Sequence, residues 1–596
     1  MTAAPAEETN AVGITHRQIV TILTGLMLGM FLAALDQTIV ATAIRTIADE
    51  LKGLEHQAWA TTAYLITSTI VTPLYGKLSD IYGRKKFFLS AITIFIVGSL
   101  LCTLSTSMLQ LAVYRAFQGL GAGGLFSLAL AIVGDIVPPR DRAKYQGYFL
   151  AVFGTSSVLG PVIGGALAGT DSILGITGWR WVFLVNVPIG FVAFVVVART
   201  LHLNHHRLDH RIDWLGAALL SLALVPLLLV AEQGREWGWT SRDAVVCYIV
   251  GGIALALFHL QEWRMGEEAI LPLRLFANRT VGIASLAGVV VGIAMFGGIA
   301  MLPLYLQIVR GNTPTEAGLQ LLPMTLGIMA GSIISGQLIS RTGRYKVFPV
   351  IGSAFIMIGL FLFHYVQYDT PLWRTMLVMV LFGVGLGFNF QPLTLAVQNA
   401  VPRHQIGVAT STATFSRQIG GTIGTAVFLS VLFSTVGDNI TKAFTRIAPT
   451  ADFQAALRDP ANAAFAHQLA AAHQSGASVA STGVLQDSSF LTHLDPRLAQ
   501  PFFVGFADSM DLVFLLGSAV MVLGFALAFF LPNVNCRAVP RIGPSPNRSP
   551  ADYGAGDDGG LIPCASRSRR SHCRPRSRHT PFDRLRRPRS RACGCR

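Results

Sequence analysis

The sequence predicts an all-α protein that crosses a membrane many times, and three observations carry this prediction. Hydrophobic residues make up 52% of the 596 residues and charged residues 13%, whereas soluble domains are about a quarter charged. The apolar residues form blocks of about twenty, which is the length that a helix needs to cross a hydrocarbon core ~30 Å thick. Because these blocks show little of the alternation of a membrane barrel, we expect the backbone to satisfy its hydrogen bonds within helices.

Fourteen apolar blocks follow one another along the chain, and each predicts a membrane-spanning helix. Their approximate limits are 19–44, 57–76, 87–106, 109–133, 145–169, 180–200, 212–232, 244–262, 281–308, 316–339, 347–367, 373–398, 405–434 and 505–531. Lysine and arginine are enriched in the cytoplasmic loops of membrane proteins. With the N-terminus inside, seventeen of these residues lie in inside loops and seven in short outside loops, so both termini are expected in the cytoplasm.

An internal repeat predicts how the spans are grouped. The segment GKLSDIYGRKK at 76–86 aligns with GQLISRTGRYK at 336–346, an offset of 260 residues. Both segments lie between the second and third spans of a six-span unit. We therefore expect a cytoplasmic N-terminus and two six-helix halves, with an inserted helix pair between the halves and an extracellular loop within the second half. The predicted limits are 1–18 for the N-terminus, 19–200 and 281–531 for the halves, 212–262 for the inserted pair and 435–504 for the loop.

The end of the chain differs from the rest in composition. Residues 537–596 contain fifteen arginines, no lysine and four aspartates, which accounts for +11 of the net charge of +15. The rest of the chain is nearly balanced in charge, so nucleic-acid binding is not expected. The Arg, Pro, Ser and Gly content predicts a disordered cytoplasmic tail that transport does not need. A zinc site formed by tail cysteines with His572 and His579 is a minor alternative, because no CxxC pair is present.

The loop after the second predicted span carries a gating hypothesis. Gly76 and Gly83 permit a tight turn, and Asp80 can pair with Arg84 or face the positive end of a helix. Breaking such a contact lets two halves of a bundle separate on the cytoplasmic side. A basic loop that only sets the topology needs the positive charges but not this spacing of glycines and aspartate.

The first and fourth predicted spans each contain an ionisable residue. Asp36 is the only acid well inside the first span, and Arg115 lies about six residues into the fourth. Ionisable residues inside membrane helices are rare and usually functional, so Asp36 is the candidate for carrying a coupling proton and Arg115 for its partner. The alternatives are a structural pair of Asp36 and Arg115 that never releases its charge, an Asp36 that simply reaches the outer interface, and snorkelling of Arg115 to the outer surface. Weaker candidates near helix ends are Asp135, Glu232, Glu316, Asp508 and Asp511.

Small residues recur in the fifth predicted span, in SSVLGPVIGG at 156–165. Gly160 and Gly164 are spaced by four and followed by Gly165, which allows another helix to approach closely. Pro161 allows a bend. Helix packing alone explains these glycines nearly as well as a functional role does.

These segments resemble signatures of the major facilitator superfamily. Residues 76–86 are similar to its cytoplasmic loop signature G-x-L-a-D-r-x-G-R-[RK], with Ile81 in place of the usual arginine; in the second copy Ser340 stands where Asp80 does. Residues 115–124 resemble the R-x-x-x-G signature of the family. Residues 156–165 resemble the antiporter signature G-x-x-x-G-P-x-x-G-G, with Ser156 in place of the first glycine.

Four further segments resemble the fourteen-span drug:proton antiporters of the QacA and EmrB kind. They are LDQTIV at 35–40, WRWVFLVNVPIG at 179–190, DWLG at 213–216 with GREWGW at 234–239, and RQIGGTIG at 417–424. The resemblance covers roughly residues 15–435 and the last span.

The resemblance implies a major facilitator fold with a substrate site between two halves near the membrane midplane. The implied function is proton-coupled export of amphipathic or cationic, drug-like small molecules by a monomer in the bacterial plasma (inner) membrane. Export of an endogenous lipid, siderophore or peptide by the same machinery stays open. A polytopic membrane enzyme or a non-transporting receptor is a further alternative, but it leaves the repeated loop unexplained.

The sequence contains none of the common motifs of enzymes and ATP-driven pumps. It lacks a Walker loop, HExxH, GxSxG and a dinucleotide fingerprint, so we expect neither enzyme activity nor a cofactor. Uphill transport then has to draw on an ion gradient. One proton crossing about 150 mV supplies ~3.5 kcal/mol, enough for a roughly 300-fold gradient of substrate.

Overall fold

Apolar helices make up most of the chain in the computed structural model. The structure describes residues 16–52, 57–138, 141–202, 212–463, 465–467, 469 and 494–532. The tail predicted at 537–596 lies outside the described residues, as do residues 1–15 and 470–493.

Seven helices form the first part of the described chain. They are α1 His16–Glu50, α2 Gln57–Tyr82, α3 Arg84–Thr103, α4 Met108–Ile136, α5 Arg142–Ala168, α6 Trp181–Leu184 and α7 Asn186–Thr200. Gly83, with φ of 104°, separates α2 from α3 in a backbone conformation that favours glycine. The hydroxyl of Ser107 caps α4 by accepting a hydrogen bond from the Gln110 amide. Between α5 and α6, a short antiparallel hairpin pairs β1 Ser172–Ile173 with β2 Ile176–Thr177.

Three helices follow before the chain returns to a second bundle. They are α8 Trp214–Trp237, α9 Arg242–Met265 and the short α10 Leu273–Ala277. The carboxylate of Asp213 caps α8 by accepting from the Gly216 amide at 2.7 Å, and the Ser241 hydroxyl caps α9. The pair α8 and α9 pack on each other, and α8 also packs on α2.

Eight helices form the remaining part. They are α11 Arg279–Leu304, α12 Pro314–Gln320, α13 Leu322–Thr342, α14 Val347–Phe363, α15 Leu372–Asn399, α16 Ile406–Ile447, α17 Ala451–Leu457 and α18 Pro496–Phe530. A π-helical turn at Tyr305–Val309 extends α11. A capping box in which Thr313 and Glu316 each bond the other's backbone amide starts α12.

The first and last groups of helices pack in the same order. In the first group, α1 packs on α5 and α7, and α2 and α3 both pack on α4. In the last group, α11 packs on α16 and α18, and α13 and α14 both pack on α15. The two groups meet where α5 packs on α13 and where α2 packs on α16.

Buried apolar side chains form separate clusters within these groups. One large cluster lies among α11 to α18, and two lie among α1 to α7. A fourth cluster joins α8 to the contact between α2 and α16, through residues such as Ile66, Leu220 and Phe415. The inserted helices therefore pack against the line where the two groups meet.

The described helices agree with the predicted spans in position. Fewer of them than predicted are long and apolar enough to cross a membrane. Each of the fourteen predicted spans overlaps a helix. Within the described residues, twelve helices are long and apolar enough to cross a membrane. Helix α2 is outside that set, and α14 has 17 residues. The fourteen-span count therefore stays a prediction.

Part of the predicted loop at 435–504 is helical. Helix α16 continues thirteen residues beyond the predicted end of its span, to Ile447, and α18 begins at Pro496 rather than near 505. The extensions bury apolar side chains at helical spacing, and the ring of Phe444 lies 5.1 Å from that of Phe502. This apolar face drives helix formation beyond the uniformly apolar stretch on which the prediction rested.

Candidate functional site

Two polar clusters lie among the apolar helices, and they contain the charged residues that the sequence singled out. The first, which we call the Asp36 cluster, consists of Asp36, Ser99, Arg115, Gln118 and Asn186. The second, which we call the Asp80 latch, consists of Asp80, Arg84, Asp135 and the backbone of Gly407 and Val408.

The Asp36 cluster brings α1, α3, α4 and α7 together around one carboxylate. Asp36 is 0% exposed and forms an ion pair with Arg115, which is 1% exposed. The other carboxylate oxygen accepts hydrogen bonds from Gln118 Nε2 at 2.9 Å and Asn186 Nδ2 at 2.7 Å. Three side-chain donors therefore converge on the two oxygens of the Asp36 carboxylate.

Arg115 is equally well held. Its guanidinium donates to the Gln118 Oε1 at 2.7 Å and to the Ala60 carbonyl at 3.2 Å. Its Cζ lies 4.1 Å from the centre of the Tyr64 ring, a cation–π contact. The structure therefore places Arg115 inside the bundle, against Asp36, and not at the surface as snorkelling requires.

Three members of this cluster, Gln118, Asn186 and Ser99, had no role in the sequence analysis. Gln118 follows Arg115 by one helical turn, so a polar residue at that spacing was a local signal. Asn186 lies 150 residues from Asp36 in the chain, and no local pattern connects the two. Ser99 joins them by accepting from Gln118 Nε2 at 2.7 Å.

The Asp80 latch joins the end of α2 to the beginning of α16. The two oxygens of Asp80 accept hydrogen bonds from the backbone amides of Gly407, at 3.2 Å, and Val408, at 2.8 Å. These amides belong to the first turn of α16, where the helix dipole favours a negative charge. Both sequence alternatives for Asp80 are thus present together, because it also pairs with Arg84.

Arg84 lies between two acids in the latch. Its Nε donates to Asp135 at 2.8 Å, and its NH1 donates to the Ser79 hydroxyl at 2.6 Å. Burial raises the pKa of the Asp80 carboxyl, while Arg84 and the Val408 amide act to lower it. A cavity of about 250 Å³ lies beside the latch, and Asp80, Lys77 and His404 are among its lining residues.

Gly76 allows α2 and α16 to approach closely at the latch. A side-chain carbon at this position would collide with the Ser411 side chain and the Gly407 carbonyl. Gly83 is required for another reason, namely its positive φ. The two glycines of the loop therefore serve one close contact and one turn.

The motif glycines Gly160 and Gly164 of α5 pack against α1. A side-chain carbon at Gly160 would collide with Thr38, and one at Gly164 would collide with Thr42 and the backbone of Ile39. Pro161 instead lies beside Gly318 of α12. Gly165 is exposed, and the only atom near a carbon added there is the Thr315 hydroxyl at 3.7 Å.

Helix α16 repeats this packing at the same offset of 260 residues. Gly420 and Gly424 align with Gly160 and Gly164, and side-chain carbons at these positions would collide with the backbone of Val289 and Ile293 in α11. Arg417 precedes this pair and is 4% exposed. It was noticed in the sequence only as part of a family motif, although an arginine inside an apolar span is unfavourable by about 2.5 to 3.5 kcal/mol at the helix centre.

Three of the weaker candidate acids lie in structural positions. Asp135 pairs with Arg84, Glu316 caps α12, and Asp508 lies 3.9 Å from Arg446 at the surface. The described residues contain no group of three His, Cys, Asp or Glu side chains arranged to hold a metal ion. The tail residues proposed as an alternative zinc site lie outside the described chain.

Comparison with known proteins identifies similar sequences and folds. A family model described as Major Facilitator Superfamily matches residues 26–425. The Multidrug transporter protein MdtP of Bacillus subtilis (strain 168) is 33% identical over 523 residues, which cover 86% of this chain and 92% of that protein. Multidrug resistance protein 3 of the same organism is 36% identical over 443 residues, covering 74% of this chain and 85% of that protein.

Solved structures show the same fold at low sequence identity. The structure of the proton:xylose symporter XylE bound to 6-bromo-6-deoxy-D-glucose superposes with a TM-score of 0.54 and 13% identity. The match covers 87% of this chain and 97% of the symporter. At this identity the likeness concerns the fold alone.

Proposed function

Since the chain belongs to the Major Facilitator Superfamily and is a multi-pass membrane transporter, we propose that it is a proton-coupled exporter of amphipathic and cationic compounds. Members of this family are in general not enzymes. The names of the two Bacillus subtilis relatives, a multidrug transporter and a multidrug resistance protein, support export as the direction of transport. The expected setting is a bacterial plasma membrane, with both termini in the cytoplasm and one chain as the working unit.

The proposed architecture is two six-helix halves that rock against each other around a central site. The identical packing order of α1 to α7 and α11 to α18 supports this division. The inserted pair, α8 and α9, covers the contact between α2 and α16. In this arrangement the substrate pathway lies between the halves, as in transporters built from repeats.

The Asp80 latch supports alternating access. It ties the end of α2 in the first half to the first turn of α16 in the second half. A second set of contacts at the same end joins Gln146 of α5 to Gln398 of α15 at 2.9 Å. In the proposed cycle these contacts keep the cytoplasmic side closed, and their release opens it.

The single observation that carries the proton-coupling proposal is the buried Asp36 with its three donors. Protonation from the outside neutralises the carboxylate and removes the partner of Arg115, so the contacts among α1, α4 and α7 have to change. A substrate cation competes with the proton for the same carboxylate, which gives exchange. Because Arg115 occupies the carboxylate in this conformation, the arginine has to move aside at that step.

The test is gradient-driven transport by Asp36→Asn in proteoliposomes, with ethidium as a cationic fluorescent probe. We expect the variant to lose transport driven by a pH gradient, whereas Asp438→Asn, which removes an exposed acid of α16, keeps it. Full transport by Asp36→Asn at both acidic and neutral pH removes Asp36 from the mechanism.

The structure requires a stability control in this test. Asp36→Asn leaves a buried arginine without its anionic partner, which destabilises proteins by about 3–5 kcal/mol. The double variant Asp36→Asn with Arg115→Gln removes both charges and should recover most of that loss. If the double variant folds and still does not couple transport to protons, the loss of activity reflects the missing carboxylate and not misfolding.

A further inference from the structure

Arg417 is a buried cation in the first third of α16. It lies eleven residues after Ile406, the first residue of the helix, which is about 16 Å along the helix axis. This is about half the thickness of a hydrocarbon core. The side chain is 4% exposed, so neither bulk water nor lipid headgroups solvate the charge.

No acidic side chain compensates Arg417 in the part of the chain that the structure describes. The ion pairs of this part include Arg84 and Arg115, each with a carboxylate within 4 Å, but none includes Arg417. Its neighbours are neutral: NH1 donates to the Phe390 carbonyl at 3.3 Å, and NH2 donates to the Thr394 hydroxyl at a long 3.5 Å. A guanidinium has five N–H donors, so most of them are without a described acceptor.

An aromatic ring covers one face of the Arg417 guanidinium. The Phe390 ring lies on the guanidinium, with the Cζ of Arg417 3.7 Å from the ring centre. Such stacking fixes the plane of the group without using its N–H donors. A planar fork of this kind matches a carboxylate, which accepts two parallel hydrogen bonds.

The packing of α16 on α11 does not require Arg417. The glycines that pack α16 on α11 recur in α5 at the offset of 260 residues, as Gly160 and Gly164. The residue that aligns with Arg417 in α5 is Ser157, whose hydroxyl bonds within its own helix, to the Phe153 carbonyl. The same packing is thus built without a charge in one half and with a charge in the other.

From these observations we propose that Arg417 binds an acidic group, foremost a carboxylate, of the exported compound. This inference rests on the proposed export function and adds amphipathic acids and zwitterions to its substrate class. The carboxylate supplies the missing counter-charge of Arg417, while the apolar part of the compound lies against the aromatic and aliphatic side chains of α15 and α16.

The test compares each acid with its own methyl ester, which lacks the negative charge of the carboxylate. Two probe pairs are used, a fluoroquinolone and a bile acid, and binding to the purified full-length protein is measured by isothermal titration calorimetry. We expect the wild type to bind each acid at least roughly tenfold more tightly than its ester. Arg417→Gln should lose this preference, and Arg417→Lys should keep part of it because the charge remains without the planar fork.

The matched control is Arg374→Gln, which removes an exposed arginine from α15 and should leave the preference unchanged. Thermal unfolding provides a second readout. Because Arg417 is uncompensated without ligand, we expect ligand-free Arg417→Gln to unfold at the same or a higher temperature than the wild type, whereas an arginine with only a structural role should lower that temperature when replaced.

The proposal is wrong if the wild type shows no preference for either acid, including the case in which neither acid binds, or if the preference survives in Arg417→Gln. Ethidium transport separates this failure from failure of the export proposal. Arg417-dependent binding of acids without any ethidium transport leaves this inference standing and contradicts the export of cations. Ethidium transport without an acid preference contradicts this inference alone.

Discussion

At the scale of the residue, three of the buried arginines, Arg84, Arg115 and Arg417, have different electrostatic surroundings. Arg84 lies between two aspartates, Arg115 shares one aspartate with two amides, and Arg417 has no acid near it among the described residues. Burial alone therefore does not distinguish a structural arginine from one that awaits a ligand. The distinction depends on whether an acidic side chain lies beside the arginine, and tertiary contacts determine this.

The latch gives a prediction at this scale. Asp80→Asn keeps the size of the side chain but removes the negative charge from the first turn of α16, and Arg84→Ala removes the cation that orients it. Both variants should slow transport at least about tenfold while changing ligand affinity little, since the latch biases the two states of the transporter and does not contact the ligand. Transport into proteoliposomes and equilibrium binding are measured on the same preparations.

Arg344→Ala is the matched control for the latch variants. Arg344 aligns with Arg84 but is exposed, and Ser340 stands where the first copy has Asp80, so this variant should transport like the wild type. A latch variant that loses binding but cycles normally would place Asp80 or Arg84 in the substrate pocket instead.

At the scale of the element, a glycine allows close contact between two helices only where it faces the other helix. In α5, Gly164 faces Thr42 and Ile39 of α1, whereas Gly165, its neighbour in sequence, is exposed. Both belong to one sequence signature, and only their direction on the helix separates them. Such a difference cannot be read from the motif.

These two glycines give a prediction for helix packing. Gly164→Leu should destabilise the protein by about 1–3 kcal/mol, because the added side chain forces α5 away from α1. Gly165→Ala should change stability by less than about 0.5 kcal/mol, as is usual for exposed positions. The unfolding temperatures of the two variants are compared in detergent. An equal decrease for both variants would show that Gly164 does not face α1 as described.

The sequence predicted the position of each long helix, but not the short helices α10 and α17 and not all of the helix ends. Continuous apolar stretches mark the part of a helix inside the hydrocarbon, so they located the spans. The extension of α16 to Ile447 is amphipathic, and its apolar positions, such as Val436 and Ile440, alternate with polar ones. The pairing of Asp36 with Arg115 was expected because ionised groups in apolar spans are conspicuous, but the contributions of Asn186 and of the α16 amides depend on tertiary contacts.

At the scale of the whole molecule, a shift of 260 residues along the sequence superimposes most helices of the first bundle on those of the second. Moving by 260 residues places α1 on α11, α3 on α14, α4 on α15 and α5 on the first part of α16. The polar groups do not follow the repeat, because Asp36 aligns with Phe296 and Arg417 aligns with Ser157. The two halves therefore share a scaffold and differ in chemistry.

Contacts between the halves give a prediction for the transport cycle. Gln146 and Gln398 are hydrogen-bonded across the halves at 2.9 Å. Replacing both with cysteine, in a chain without its native cysteines, and joining them with a short bifunctional thiosulfonate should block transport by keeping this end closed. A reducing agent should restore transport.

Cross-linking within one half is the matched control. Thr38 and Ser156 lie in contact between α1 and α5 of the same half, so cysteines at these positions can be joined without tying the halves together. Transport should continue in that variant, and an equal block by both cross-links would argue against rocking of rigid halves.

The length of α16 has a mechanical consequence. Its 42 residues contain no proline, and such a helix is about 63 Å long, roughly twice the thickness of the hydrocarbon core. A tilt of about 5° pivoting at the first turn, where Asp80 holds it, displaces the other end by roughly 5 Å. The helix thus acts as a lever, and a fluorophore placed near Ile447 reports from one side of the membrane on whether the latch on the other side is engaged.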